Sequence, residues 1–312
     1  MRVGFRCDAG PLIGAGHVMR CLGLAEELAG RGHEVVMLAD LGGLDWLTMP
    51  SVAPPDDLVR AALDLDLDAM VLDSYELDPA WAGGLRRAGV RVLCVVDGDT
   101  RGQDADLYLD QNLDAQPQSS RFLAGIDYVL LRDSVRRLRP DRPPPVDREI
   151  PHVLCFFGGT DPAGAVPTVM SLAAATGAPF AATVVAPRGL PPIPLAAGQS
   201  IEPIAPHPDL PQLMARADLV IGAAGSSTWE LFCLGIPAAV TWVAANQRPG
   251  HDAVVAHGLA VGLGHITDLP SRAGALHRLL TDRRLRGALA ERGYATVDGN
   301  GRIRVADALT GR

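Results

Sequence analysis

The sequence predicts an α/β protein built of two doubly wound domains that face a cleft, and three observations carry that reading. Short apolar runs alternate with helical patterns along the chain, as parallel strands crossed over by helices require. A proline-rich stretch interrupts the alternation near the middle. A length of 312 residues suits two domains of ordinary size, since single cores rarely grow past about 250 residues.

The elements follow in order. Residues 2–7 read as a strand that ends in the glycine-bearing loop DAGPLIGAG. A helix is expected from about His17, because Val18, Cys21, Leu22, Ala25, Leu28 and Ala29 share one face and Gly30 and Gly32 supply the stop. Further strands are expected at 34–38, 69–72, 91–96 and 128–131. Residues 139–151 read RPDRPPPVDREIP, where proline fixes φ and removes donors, so the stretch is a poor helix or strand and a good linker. The pattern then restarts with strands at 153–157, 181–185, 219–222 and 238–242. The expected organisation is a first domain over 1–138, a linker over 139–151 and a second domain over 152–312, the last helix packing back on the first domain. Both domains are Rossmann-type, with ligands expected at the carboxyl ends of their strands. The sequence shows no internal repeat.

Composition narrows the function. Hydrophobic residues make up 48% and charged residues 21%, enough for a sizeable core. With a net charge of -8 and no basic run, nucleic acid is excluded as the main partner, and an anionic ligand must be held by local donors. No stretch approaches the roughly 18 apolar residues of a membrane span, and the opening MRVGFRCDAG lacks a signal peptide's apolar segment, so a cytoplasmic protein without membrane partners is expected. The five cysteines are widely spaced and read as buried free thiols. Every basic side chain among the 28 is arginine, which excludes Schiff-base and pyridoxal-phosphate chemistry and a Walker-type loop.

Three motifs can carry chemistry. Gly14-Ala15-Gly16-His17 stands at a strand–loop–helix junction, where glycines admit a ligand to the backbone, helix-start N–H groups favour negative charge, and a histidine can move a proton. A surface histidine or a dinucleotide fingerprint are the other readings, the latter weakened by Met19 where the third glycine belongs. The second motif runs Gly222-Ala-Ala-Gly-Ser226-Ser227-Thr228-Trp229-Glu230, suited to a diphosphate with Glu230 on ribose hydroxyls, though Ser227-x-x-Glu230 is equally a capping box. Gly158, Gly159 and Thr160 form another phosphate-type turn in the same half, and Asn246-Gln247 offers amides on its rim. The third motif, Asp97-Gly98-Asp99, fits a divalent metal or an acidic turn. His251 and His257, six apart, have the wrong helical spacing for a paired metal site.

Together these motifs resemble a known family, the nucleotide-sugar hydrolase of pseudaminic acid biosynthesis and its relatives among spore-coat polysaccharide biosynthesis proteins. The match runs in order through Arg6-Cys-Asp8, IGAGHVMRCLGLAEEL, VLDSY, YVLLRDSV, FGGTD, GAAGSSTWELFCLGIP, the NQ pair and DGNGRIRVADAL. The resemblance implies a GT-B architecture and a UDP-sugar substrate, with no cofactor and no metal. It implies that His17, Tyr75 and Asn246 are catalytic. Gly14, Gly16, Arg132, Gly158, Gly159, Thr160, Ser226, Ser227, Thr228, Glu230 and Gln247 then bind the substrate and its nucleotide. In that family water replaces UDP at the anomeric carbon with inversion, so His17 is expected to orient or deprotonate the water. The alternative is a metal-independent inverting transferase that moves the sugar to a small acceptor. Gly98 and Ser134, smaller than the family pattern at those places, point to a roomier acceptor side.

Overall fold

Apart from Arg2, Arg6, Asp73 and Arg91, strands 2–7, 69–73 and 91–95 carry no charged or polar side chain, in keeping with strands covered on both faces. In the computed structural model, which describes residues 1–10, 13–42 and 50–311, they form one parallel sheet. Its strands are β1 (Arg2–Cys7), β2 (Glu34–Leu38), β3 (Ala69–Asp73), β4 (Arg91–Val95), β5 (Leu107–Asp110) and β6 (Phe122–Ala124), in the order β2-β1-β3-β4-β5-β6. All five residues of β3 are buried. A second parallel sheet holds β7 (His152–Phe156), β8 (Phe180–Val185), β9 (Gln199–Ile204), β10 (Leu219–Ala223), β11 (Ala238–Trp242) and β12 (Val261–His265), in the order β12-β11-β10-β7-β8-β9. Two doubly wound α/β layers are therefore present. Pro203 is tolerated in β9 because that strand lies at an edge.

In each sheet the winding reverses once. The first turns outward on either side of the β1/β3 pair, and the second on either side of β7/β10. At such a switch point the loops diverge and leave a crevice beyond the carboxyl ends. Cys7 and Asp73 are register partners at the end of the first pair, and Phe156 and Gly222 near the end of the second. Gly222 is needed there, since an added Cβ would lie 2.7 Å from the Phe156 carbonyl oxygen.

One expected strand is not a strand. Residues 126–128 form a 3-10 turn, and the buried Leu130 that follows donates its N–H to the Gln111 side chain at 3.1 Å instead of to a neighbouring strand. Apolar character in this run reflects burial without sheet pairing.

The chain divides into two compact units, Met1–Asp133 with Gly299–Arg312, and Ser134–Asp298. The chain thus crosses between units at 133/134 and 298/299, and residues 139–151 fall within the second. Arg139 accounts for this. Its guanidinium donates to the carbonyls of Cys233 and Val297, each at 2.6 Å, and stacks on the Tyr294 ring at 3.7 Å, while Tyr294 Oη donates to the Pro140 carbonyl at 2.7 Å.

The closing helix, Gly301–Thr310, packs on the opening helix, Gly16–Gly30. Arg302 is buried between Glu26 and Glu27 at 3.2 and 3.1 Å, and also pairs with Asp133. Gly301 permits this approach, because a Cβ there would overlap the backbone of Tyr128 and Val129. Gly301→Ala is expected to cost about 1–3 kcal/mol, the usual price of overpacking, read as a lower urea midpoint. An unchanged midpoint would contradict the docking of the closing helix.

Candidate active site

The first unit's site starts where β1 ends. The loop beyond Asp8 is closed by paired backbone bonds, Gly10 N–H to Gly14 O at 3.0 Å and Gly14 N–H to Gly10 O at 2.8 Å. Gly14 sits at φ +74°, a conformation that glycine alone adopts freely. Pro11 and Leu12 of the same motif lie outside the described residues. Gly16 opens the helix behind Ala15, an N-cap without a side-chain bond, and no acidic residue occupies the first turn. His17 is the second helical residue.

Asp73, at the end of β3, is 1% exposed and meets that helix start. Its Oδ1 accepts from His17 Nδ1 and from Arg20 Nη2, both at 2.6 Å. Its Oδ2 accepts from Arg20 Nε at 2.6 Å and from the Cys21 thiol at 3.5 Å. Burial works against the Asp73 charge, but Arg20 and His17 outweigh it and hold the carboxyl well below the usual carboxylate range. An ionised carboxylate only accepts, so the His17 nitrogen that faces it, Nδ1, carries a proton.

Tyr75 stands beside this group, with its ring edge-on to His17 at a centroid distance of 5.1 Å. Its hydroxyl donates to Asp97, whose other oxygen accepts from Asn112 Nδ2 at 3.1 Å, and the Arg101 guanidinium lies 4.9 Å from the ring centroid. Asp99 is used separately, accepting from Arg101 N–H at 2.9 Å. Asp97-Gly98-Asp99 is thus an acidic turn whose carboxylates serve different partners. Among the described residues, no group of three His, Cys, Asp or Glu is placed to hold a metal ion. Arg132 follows Leu131, and its charge acts on Glu26, more than two helical turns beyond His17.

In the second unit the β7 and β10 loops lie side by side. Gly158 has φ +66° and open space where a Cβ would stand; Gly159 and Thr160 follow it. Asp161 caps the next helix, Ala165–Ala175, accepting from Ala165 N–H at 2.8 Å and Val166 N–H at 3.2 Å. Beyond β10, Ser226 is the N-cap of the helix Ser227–Leu234, with helical backbone angles and no side-chain cap bond. Ser227 is therefore inside the helix, one place too late for a capping box. Glu230 lies in the first turn at 8% exposure. The hydroxyls of Thr160 and Thr228 are buried and, among the described residues, have no hydrogen-bond partner. Buried hydroxyls without partners are uncommon and suit a ligand's acceptors. Gln247 Oε1 accepts from Val243 N–H at 2.9 Å, which turns its amide donors outward; Asn246 is exposed in the 3-10 turn Ala245–Gln247.

The structure brings His17 and Tyr75 together in the first unit and places the two glycine loops side by side in the second, which also carries Asn246 and Gln247. Sequence reasoning missed Asp73 and Arg20. The signals were present: an aspartate closing the apolar run AMVLD, and an arginine three residues after His17, one helical turn along the same face.

The Asp73 charge has a consequence for stability. Because its folded carboxyl is depressed, the stabilisation it contributes is present above the unfolded value of about 3.9 and is lost as pH falls toward the folded value. Asp73→Asn also leaves Arg20 buried without its partner, a loss of about 3–5 kcal/mol near neutral pH. The urea midpoints of wild type and Asp73→Asn are therefore expected to differ most above pH 5 and to converge below pH 4. A constant difference would contradict the ion pair.

Comparison with known proteins follows this geometry. No protein-family model matches the chain. The chain is 26% identical to the spore coat polysaccharide biosynthesis protein SpsG of Bacillus subtilis (strain 168), over 99% of this chain and 98% of that protein. Its fold is similar to that of Acinetobacter baumannii MurG, with a TM-score of 0.72 at 19% identity over 100% of this chain and 99% of the other. The UDP-GlcNAc 2-epimerase of Neisseria meningitidis, solved bound to UDP-GlcNAc, gives a TM-score of 0.63 at 12% identity over the whole of both chains. The chain is thus similar from end to end to a spore coat polysaccharide biosynthesis protein, and its two doubly wound sheets have the GT-B fold.

Proposed function

We propose that the chain hydrolyses a UDP-sugar at the anomeric carbon. The observation that carries this reading is the His17–Asp73 pair, an imidazole held by a buried carboxylate so that Nε2 is free to take a proton. In the proposed step, water attacks the anomeric carbon on the face opposite the diphosphate. The new C–O bond forms as the sugar–diphosphate bond breaks, and UDP leaves with the bonding electrons. The water's proton passes to His17 Nε2, and the products are UDP and the free sugar of inverted configuration. Tyr75 is assigned to the reacting sugar in this reading, and Asn246 keeps the catalytic role that the resemblance implies.

The second unit is assigned the nucleotide. The start of the Ser227–Leu234 helix, which no N-cap side chain covers, the turn Gly158–Thr160 and the buried Thr160 and Thr228 hydroxyls are assigned to the diphosphate. Glu230 takes the ribose hydroxyls, and Gln247 offers its outward amide. A UDP-sugar also fits the epimerase of the same fold, which was solved with UDP-GlcNAc. Of the two small residues that suggested a larger acceptor, Gly98 has a structural reason of its own. Gly98 sits at φ +77°, where a side chain is strained whatever the room; nothing in the structure explains the small size of Ser134. The reason at Gly98 favours water.

UDP release from a panel of UDP-sugars without added acceptor tests the reading; catalytic release of UDP and free sugar in equal amounts is expected. Release only when an acceptor is present, with a conjugate formed in equal amount, assigns the chain to the transferases instead. His17→Asn is expected to lower turnover by about 10²–10⁴, the range for a general base, with little change in UDP affinity. Near-normal turnover removes His17 from the mechanism. Glu230→Gln is expected to weaken UDP by about 1–3 kcal/mol in calorimetric titration, since a charged hydrogen bond is lost. A lower melting temperature with unchanged UDP affinity would make Glu230 structural only.

A further inference from the structure

We infer that Arg20 is a positioning residue that keeps His17 in its proton-accepting form by supplying the cation that buried Asp73 requires. The inference rests on the reading of His17 as the base. A carboxylate at 1% exposure cannot stay ionised without a paired charge, and its bonded partners include two groups able to carry one, His17 and Arg20. If His17 supplied that charge, its ring would hold protons on both nitrogens and could accept none. Arg20 cannot be deprotonated, and its fork spans both Asp73 oxygens at 2.6 Å, so the carboxylate is neutralised while the imidazole stays neutral. Geometry adds a second push. Arg20 Nη2 lies 3.3 Å from His17 Nδ1, so a doubly protonated ring would rest against a guanidinium.

The other groups around the pair leave this balance in place. On the helix, the Cys21 thiol is pushed up by its bond with Cys7 at the end of β1 and by burial, so it remains a neutral donor to Asp73. Arg6 and Asp8, also at the end of β1, pair with each other. From the turn after β4, Asp97 and Arg101 carry opposite charges and both engage Tyr75, the nearest ring to His17. Asp97 also acts on Arg20, where it reinforces the cation.

The test follows the His17 ring nitrogens by NMR through a pH titration of the ligand-free protein. In Arg20→Gln, His17 is expected to take its second proton about one pH unit higher than in wild type, the scale of losing one charge within a few ångströms, and Arg20→Lys should restore most of the shift. The acidic limb of the kcat/KM profile should move with it. A merely structural role would lower activity evenly across pH and leave the His17 titration in place, which overturns the inference. Should Arg20→Gln fail to fold, Asp73→Asn serves. There the carboxylate charge is gone and Arg20 still faces the ring, so His17 is expected to titrate below its wild-type position; a titration at or above it overturns the inference. If the titrations shift as expected but wild type releases no UDP from any UDP-sugar, the charge balance stands and the proposed reaction falls.

Discussion

The Asp73 carboxylate carries a full negative charge at the end of a strand with no exposed residue, and the first unit is arranged around keeping it there. Burial alone would drive that group to its neutral form. Four donors from the opening helix surround its two oxygens, three of them at 2.6 Å. This fixes the plane of the carboxylate, and with it the direction from which His17 is held. The orientation of an imidazole is otherwise a soft torsion. Here the carboxylate's bond to Nδ1 aims Nε2, and Arg20 fixes the carboxylate in turn. The site's precision therefore comes from a strand and a helix, the rigid elements, and less from the loop between them.

Both units exploit a reversal of winding, for different ends. In the first, the β1/β3 crevice receives charged side chains, because Asp73 lies in register with Cys7 and meets the helix that β1 feeds. In the second, the β7/β10 crevice receives backbone. Gly222 lets the two strands run close, Gly158 provides a left-handed turn, and the helix after β10 begins without a side-chain cap. A chain of net charge -8 has no broad positive field with which to attract a diphosphate. Local N–H groups and buried hydroxyls are the remaining means, and the second crevice concentrates both.

The double winding was legible because apolar strands and helical stripes alternate with different periods, and because glycine and proline mark the ends of elements. Strands β5, β6, β9 and β12 were not legible. Leu107–Asp110 and Phe122–Ala124 are too short to show a period, Gln199–Ile204 is a polar edge strand, and Val261–His265 carries two glycines. The proline-rich stretch 139–151 was rightly read as irregular. That Arg139 would anchor it to three carbonyls more than ninety residues away has no local signature. The site shows the same division. His17 and the glycine loops announce themselves by spacing, whereas Asp73 and Arg20 acquire their meaning only when β3 is laid beside β1. The capping box was legible and absent, because the helix starts one residue earlier than that motif needs.

In the proposed reaction the base is indifferent to what it deprotonates. A neutral imidazole at the start of a helix can take a proton from water or from an alcohol, so selection of the acceptor belongs to the walls around it. Within the first unit that wall is Tyr75, pinned at its hydroxyl by Asp97, faced by Arg101 and set edge-on to His17. Asp97 is itself fixed through Asn112, which also donates to Asp110 at 2.8 Å, and Asp110 accepts the Gly98 N–H at 2.7 Å. The turn is thus tied to β5 at several points, and its glycine answers to a positive φ. Gly98 leaves space for a backbone reason, so the space is no sign of a bulky acceptor. A wall braced in this way resists the widening that a larger acceptor needs. Such bracing is what supports water as the acceptor in the proposed reaction.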